Sequence, residues 1–327
     1  MKKHLLQSEE WEKYEKLEGK KAFRLKGDGY ETTCWVNETP FGNYLMVGYG
    51  PHLKDKDALK PALKALKMAG EKHKCFFVRI EPTLEVKSLL VASGAKKVKN
   101  IEPEHTWVLD LKPDENELLA GMEGRKVRYW RNMAKKGIMI RKTQDAEEIG
   151  VLTGFLKGLG EKDHFTPQTE GHLKNQMKAG FATLYIAELV VDKEGNSVNL
   201  VEKTEKDVEK MKKIPIAAAL VYDYQGTRYY AHAATDFEHR KLMAGTILLI
   251  QMILDAKEQG SDIFDFWGIT TSTDENHSWY GFTLYKKSFG GRQVDFSGTY
   301  DLVLQPVKYS LYNMARKANL AVRKLRK

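Results

Sequence analysis

Twice along this chain, two strand-like segments lead into a helix and then into an aromatic strand that carries an acidic residue. In the first pass the strands span residues 32–36 and 43–49. Ala58, Leu59, Ala62, Leu63, Leu66 and Ala69 then recur at helical spacing, Gly70 begins to close that helix, and a strand over 75–80 ends at Glu81-Pro82. In the second pass the strands are 216–224 and 228–235, the helix runs over 240–257, and the strand 263–267 carries Asp265. A hairpin that feeds a strand–helix–strand unit builds a mixed sheet with the helix packed on one face. Two such units predict two α+β domains of similar build, and 327 residues is long for a single core. The copies share a plan and almost no identical residues, so this is a pattern and not a sequence repeat.

Other segments complete the outline. Ser8-Glu9-Glu10-Trp11 starts a short helix with an N-cap and acidic first turn. Residues 107–111 read as a strand and Pro113-Asp114-Glu115 as the start of a long helix that Gly137 closes. Residues 146–159 and 170–179 read as helices, and 182–191 as a strand. The charged stretch 192–213 reads as a solvated hairpin tip or insertion, and 309–327 as a basic amphipathic helix.

No apolar run is long enough to span a bilayer, and residues 1–10 lack the apolar segment of a secretory signal. Cys34 and Cys75 have no metal-ligand spacing, so reduced structural thiols in a cytoplasmic protein are expected, with no metal. A net charge of +9 favours a polyanionic partner. The excess concentrates in Arg125-Lys126-Val127-Arg128-Tyr129-Trp130-Arg131 and in the tail, Arg316-Lys317 and Arg323-Lys324-Leu325-Arg326-Lys327.

Chemistry points to residues 264–291. The strand Phe264-Asp265-Phe266-Trp267-Gly268-Ile269 enters a loop, which returns as Tyr280-Gly281-Phe282-Thr283-Leu284-Tyr285-Lys286-Lys287-Ser288-Phe289-Gly290-Gly291. The returning run reads as a strand, whose alternation places only one of the two lysines on the site face. A lysine desolvated among aromatics stabilises negative charge better than one in water. The alternative is a strand whose lysines reach solvent.

In this order, the pieces resemble the Fem-type peptidoglycan bridge aminoacyltransferases over nearly the whole chain. The resemblance rests on Leu6-Gln7-Ser8-Glu9-Glu10-Trp11, Gly50-Pro51, Phe77-Val78-Arg79-Ile80-Glu81-Pro82 and Thr106-Trp107-Val108-Leu109-Asp110-Leu111. It continues through Lys126–Gly137, Tyr230-Ala231-His232-Ala233-Ala234, Asp265–Ile269, Tyr285–Gly291 and Gly298–Asp301. It implies two acetyltransferase-like domains, the first over 1–105 plus a C-terminal return at 298–327, the second over 106–297. No heptads sustain a coiled-coil arm, as in the compact members.

The resemblance also implies an activity: an amino acid moves from aminoacyl-tRNA to the stem peptide of a peptidoglycan precursor, lipid-linked or a UDP-linked muramyl pentapeptide. No cofactor is implied beyond that co-substrate. Lys286 aligns with the family lysine that stabilises the oxyanion, and Glu81 with an acidic residue that takes or orients the acceptor's proton. Tyr285, Tyr230, His232 and Phe76 fall at substrate-contacting positions, with Tyr230 and His232 expected on one strand face. Gln168 stands where an arginine holds a diphosphate, and Lys13 or Lys16 could supply that contact. Lys126, Arg128 and Arg131 suit a tRNA backbone. The terminal helix could meet the inner membrane surface or pack on the first domain. Competing readings are an acetyl-CoA-dependent N-acyltransferase and a non-catalytic tRNA-binding protein on the same scaffold. For the former, His239–Gly245 is a poor match to a pyrophosphate cradle.

Overall fold

The computed structural model describes residues 2–163 and 166–325; Arg326 and Lys327 of the basic tail lie outside the described residues. In chain order the first elements are α1 (Glu9–Leu17), β1 (Ala22–Gly27), β2 (Tyr30–Thr39), β3 (Gly42–Val47) and β4 (His52–Leu53). They are followed by α2 (Leu59–Lys72), β5 (Cys75–Ile80), α3 (Lys87–Ala92) and β6 (Lys96–Lys97). The middle of the chain forms β7 (His105–Asp110), α4 (Glu115–Ala120), α5 (Gly124–Arg131), β8 (Ile138–Thr143), α6 (Gly150–Asp163), α7 (Glu170–Ala179) and β9 (Ala182–Val191). Then come α8 (Glu205–Glu209), β10 (Lys212–Tyr224), β11 (Thr227–Thr235), α9 (Ala244–Glu258), β12 (Ile263–Gly268) and α10 (Tyr280–Lys287). The chain closes with β13 (Arg292–Asp295), β14 (Tyr300–Val303) and α11 (Pro306–Leu325).

Two α+β units result: Met1–Glu104 with Asp295–Lys327, and His105–Val294. In the first the strand order is β1-β2-β3-β5-β14-β6, with β4 beside β2. β3 and β5 are parallel, and α2 is the crossover between them. Leu59, Ala62, Leu63, Leu66 and Ala69 of α2 are buried against β2, β3 and β5. Gly70 does not end this helix. It lies inside it, where a Cβ would come within 2.7 Å of Leu304 and 2.9 Å of Val78, so only glycine admits the close approach of helix to sheet. The C-terminal β14 pairs antiparallel with β5. The Arg79 guanidinium donates to both carboxylate oxygens of Asp301 at 2.7 and 2.8 Å across that pair, deep in the unit.

The second unit has the order β13-β7-β12-β11-β10-β9-β8. Here α9 is the crossover between the parallel strands β11 and β12, and Ile247, Leu248, Leu249, Ile250, Met252 and Ile253 are all buried. The helix expected over Pro113–Gly137 is broken into α4, α5 and a 3-10 turn at Ala134–Lys136. Gly121 and Gly124 lie at the break, where their low helix propensity favours a stop. Residues 192–211 form the tip between the antiparallel strands β9 and β10 and include α8.

Candidate active site

The second unit's site begins with a sheet irregularity. β11 and β12 pair only over Thr227–Tyr229 and Ile263–Asp265. Beyond that point β11 continues to Thr235 and β12 to Gly268, with no pairing between them among the described residues. Parallel strands that separate at their carboxyl ends leave a crevice, the usual place for ligands in such sheets. Trp267 takes a left-handed φ of 65° in the same stretch, and the β12–β7 register shifts between Asp265 and Gly268. A bulky residue rarely holds that conformation unless its surroundings impose it. Here the Asp265 carboxylate imposes it, accepting a 2.7 Å bond from the Trp267 backbone N–H and another from the Thr106 hydroxyl.

The turned backbone presents the Gly268 carbonyl to Lys286, whose ammonium donates to it at 2.7 Å. The Lys286 side chain is only 1% exposed. It lies on α10, and the expected strand over this run is not formed. Phe282, Lys286 and Phe289 recur at spacings of four and three, which is helical periodicity. The Phe282 ring therefore lies one turn before the lysine, 3.8 Å from the ammonium. The next residue, Lys287, is rotated about 100° away and exposed, with its ammonium over the Trp107 ring. Burial lowers the Lys286 pKa to about 7, opposed by the charge of Asp265. Burial also raises the Asp265 carboxyl to about 6, opposed by its hydrogen bonds and by Lys286. Lys286 serves to stabilise negative charge while it carries its proton, and the nearby Asp265 charge favours that protonated form.

The other expected residues separate into those near this lysine and those elsewhere. Tyr285, with its hydroxyl pushed up to about 12 by burial, packs on Phe289, and its charge couples to Tyr230. Tyr230 and His232 do not share a face. A β-bulge shifts the β10–β11 register between Leu220 and Val221, placing Tyr230 with Val221 and Phe264 on the α9 side. His232 lies on the opposite side, toward Tyr222, and burial lowers its pKa to about 4. Lys126 is turned inward, 8% exposed, with its ammonium over the Tyr285 and Phe289 rings and bonded to Glu123. It thus lines the aromatic side of this region and does not reach out as an RNA-backbone contact. Arg128 and Arg131 are exposed on α5. Gln168 is exposed in the loop before α7.

In the first unit, Glu81 follows β5 and is buried. Its Oε1 accepts from the Thr299 hydroxyl and the backbone N–H groups of Ile101 and Glu102, while Oε2 is buried with no partner. Burial pushes its pKa up against those bonds. It is a carboxyl anchored by backbone N–H groups and a hydroxyl, with one uncommitted oxygen. Phe76 is at the other end of β5, sealed against Phe77 and Tyr312, so it is a core side chain here and not a substrate contact. Lys13 and Lys16 are exposed beside a groove that also contains Glu9 and Glu12, and Lys16 pairs with Glu12 at 2.6 Å. Those carboxylates offset the positive charge a phosphate would need.

The sequence alone does not assign Asp265, Thr106, Gly268 or Phe282 a role in the site. Asp265 was legible as an acid in an aromatic strand, and Phe282 through its helical spacing to Lys286. The roles of Thr106 and the Gly268 carbonyl arise only from β7 pairing with β12, a contact between segments some 160 residues apart. Cys34 and Cys75 are buried free thiols whose pKa burial raises, and no described group of three or more His, Cys, Asp or Glu could hold a metal ion.

Comparison with known proteins places this geometry. Residues 182–317 match the FemAB family. A lipid II:glycine glycyltransferase of Staphylococcus epidermidis is 21% identical, over 94% of this chain and 89% of its own. A protein of the same name from Staphylococcus aureus is 22% identical, over 84% and 79%. The crystal structure of FemX superposes with a TM-score of 0.78 at 22% identity over 94% of each chain. The structure of L-PGS from Bacillus licheniformis gives 0.56 at 13% identity, over 91% of this chain and 88% of its own. At these identities the structures establish the fold, and the family match over residues 182–317 together with the near full-length relatives makes the chain similar to the Fem-type proteins.

Proposed function

We propose that this protein is an aminoacyltransferase that attaches an amino acid from aminoacyl-tRNA to the stem peptide of a peptidoglycan precursor. The observation that carries the reading is the Lys286 ammonium, buried at the carboxyl end of β12 and fixed by the Gly268 carbonyl. Relatives named for glycyl transfer to lipid II support the acceptor class. The donor is proposed on the chemistry below and on the exposed arginines of α5.

The reaction is aminolysis of an ester. The neutral acceptor amine attacks the aminoacyl carbonyl carbon, and a C–N bond forms as the carbonyl π pair moves onto oxygen. The oxyanion then collapses, the C–O bond to ribose breaks, and the ribose oxygen leaves with a proton while the amine loses one. A cation held in a dry, preorganised place stabilises that oxyanion, and removing one such donor costs about 3 kcal/mol of barrier. Lys286 takes that role because its ammonium has two more N–H donors beyond the one given to Gly268.

The test is direct. Purified protein is incubated with a charged tRNA pool and lipid-linked or UDP-linked muramyl pentapeptide, and the products are weighed. A mass gain of one amino-acid residue, lost in Lys286→Met, is expected. No gain with any pool, together with acetyl transfer from acetyl-CoA, would replace this reading with the CoA-dependent one.

A further inference from the structure

The terminal helix α11 has two apolar faces where packing requires one. Its inner face is occupied: Tyr309 is buried with its hydroxyl donating to Asp301 at 2.9 Å, and Tyr312 packs on Phe76 and Phe77. The outer face presents Val307, Leu311 and Met314, which are 75, 50 and 67% exposed. These fall at i, i+4 and i+7, one continuous stripe. Lys308 and Lys317, both exposed, lie about a quarter turn to either side of it. Phe41, an exposed ring of the β2–β3 turn, is 6.2 Å from Tyr312 beside the same helix.

The charge is equally one-sided. After Asp301 the chain has no Asp or Glu through residue 327, yet it carries Lys308, Arg316, Lys317, Arg323, Lys324, Arg326 and Lys327. Seven positive charges out of a net +9 therefore lie in this segment. A nucleic acid would reward the lysines but offers nothing to exposed aliphatic side chains, and the helix's two tyrosines, which could stack on bases, are turned inward. An anionic bilayer surface rewards both at once, taking the apolar stripe into the acyl boundary while the flanking lysines reach the headgroup phosphates.

We infer that the outer face of α11 docks on an anionic lipid surface. The inference suits a lipid-borne acceptor but stands on the helix alone, so its test needs no substrate. The full-length protein is floated with phosphatidylcholine vesicles containing about a third phosphatidylglycerol, and with pure phosphatidylcholine vesicles. Binding to the anionic vesicles is expected, weakened by salt and nearly absent on the neutral ones. The triple variant V307S/L311S/M314S alters only exposed side chains, so its melting temperature should not change, while its vesicle affinity should fall about tenfold or more. K308E/K317E should fall comparably. Absence of wild-type binding to either vesicle overturns the inference, as does wild-type affinity in the triple variant. Loss of tRNA affinity with vesicle binding intact would assign the face to nucleic acid instead. Aminoacyl transfer to a soluble UDP-linked acceptor reads out the proposed reaction separately.

Discussion

Lys286 is the residue on which the chemistry turns, and its pKa gives that chemistry a pH signature. Burial brings the ammonium down to about 7, so its charged fraction falls tenfold per pH unit above that value. The acceptor's alkyl amine, with a pKa of about 10, gains neutral fraction tenfold per unit over the same range. The two slopes cancel. For the wild type, kcat/KM should therefore rise with pH up to about 7 and run flat above it. Lys286→Arg keeps its charge throughout, so whatever activity it retains should continue to climb above pH 7. A wild-type profile that keeps rising to pH 9 would show either that Lys286 stays protonated over that range or that its charge is not needed, and a Lys286→Met variant that is still active would decide for the latter. The Asp265 carboxylate shapes this behaviour from below, because it fixes the Trp267 turn and faces the lysine electrostatically. The lysine and its aromatic company were visible in the sequence. Its place on a helix was obscured because a run such as Phe-Thr-Leu-Tyr combines strand-favouring side chains with helical spacing, and the spacing is what packing obeyed.

At the scale of elements, hairpin, crossover helix and parallel strand were legible twice, because α2 carries its buried face in plain periodicity and α9 is a helix-length apolar segment buried almost all round. What escaped were local departures from regularity. The bulge opposite Leu220 and Val221 that parts Tyr230 from His232, and the break between α4 and α5, depend on how neighbouring strands and helices meet. α5 itself divides by face: Lys126 turns in to the aromatic rings, while Arg128 and Arg131 stay in solvent, three residues apart. Any RNA contact of this helix must then come from its exposed arginines, Arg128 and Arg131 together with Arg125 in the first turn. Arg128→Glu with Arg131→Glu should weaken tRNA binding by tenfold or more at low salt and reduce the slope of log affinity against log salt by about two. Binding that is unchanged in both magnitude and salt slope would remove Arg128 and Arg131 from the donor's footprint. The melting temperature should move little, since exposed charges contribute little to stability.

For the whole molecule, the decisive feature is that the chain leaves its first unit at Glu104, builds the second, and returns from Asp295 onward to finish the first. Strand β14 supplies the partner for β5, and the pairing is sealed by one buried ion pair between residues 222 positions apart. Arg79 is 2% exposed and Asp301 0%, with the Tyr309 hydroxyl on the same carboxylate. A hydrophobic pair could occupy that space without loss, but removing one member leaves the other charged and buried. Asp301→Ala should accordingly cost about 3–5 kcal/mol of unfolding free energy, while the double variant Arg79→Met/Asp301→Leu should recover much of it. The location of the loss matters as much as its size. Among the described residues the hydrogen-bond partners of the Asp301 carboxylate are Arg79 and Tyr309, both of the first unit, so hydrogen exchange in Asp301→Ala should rise first in β5, β14 and α11, leaving α9 and β12 protected at mild denaturant. Uniform loss of protection across both units would mean that the returning segment stabilises the molecule as one cooperative body.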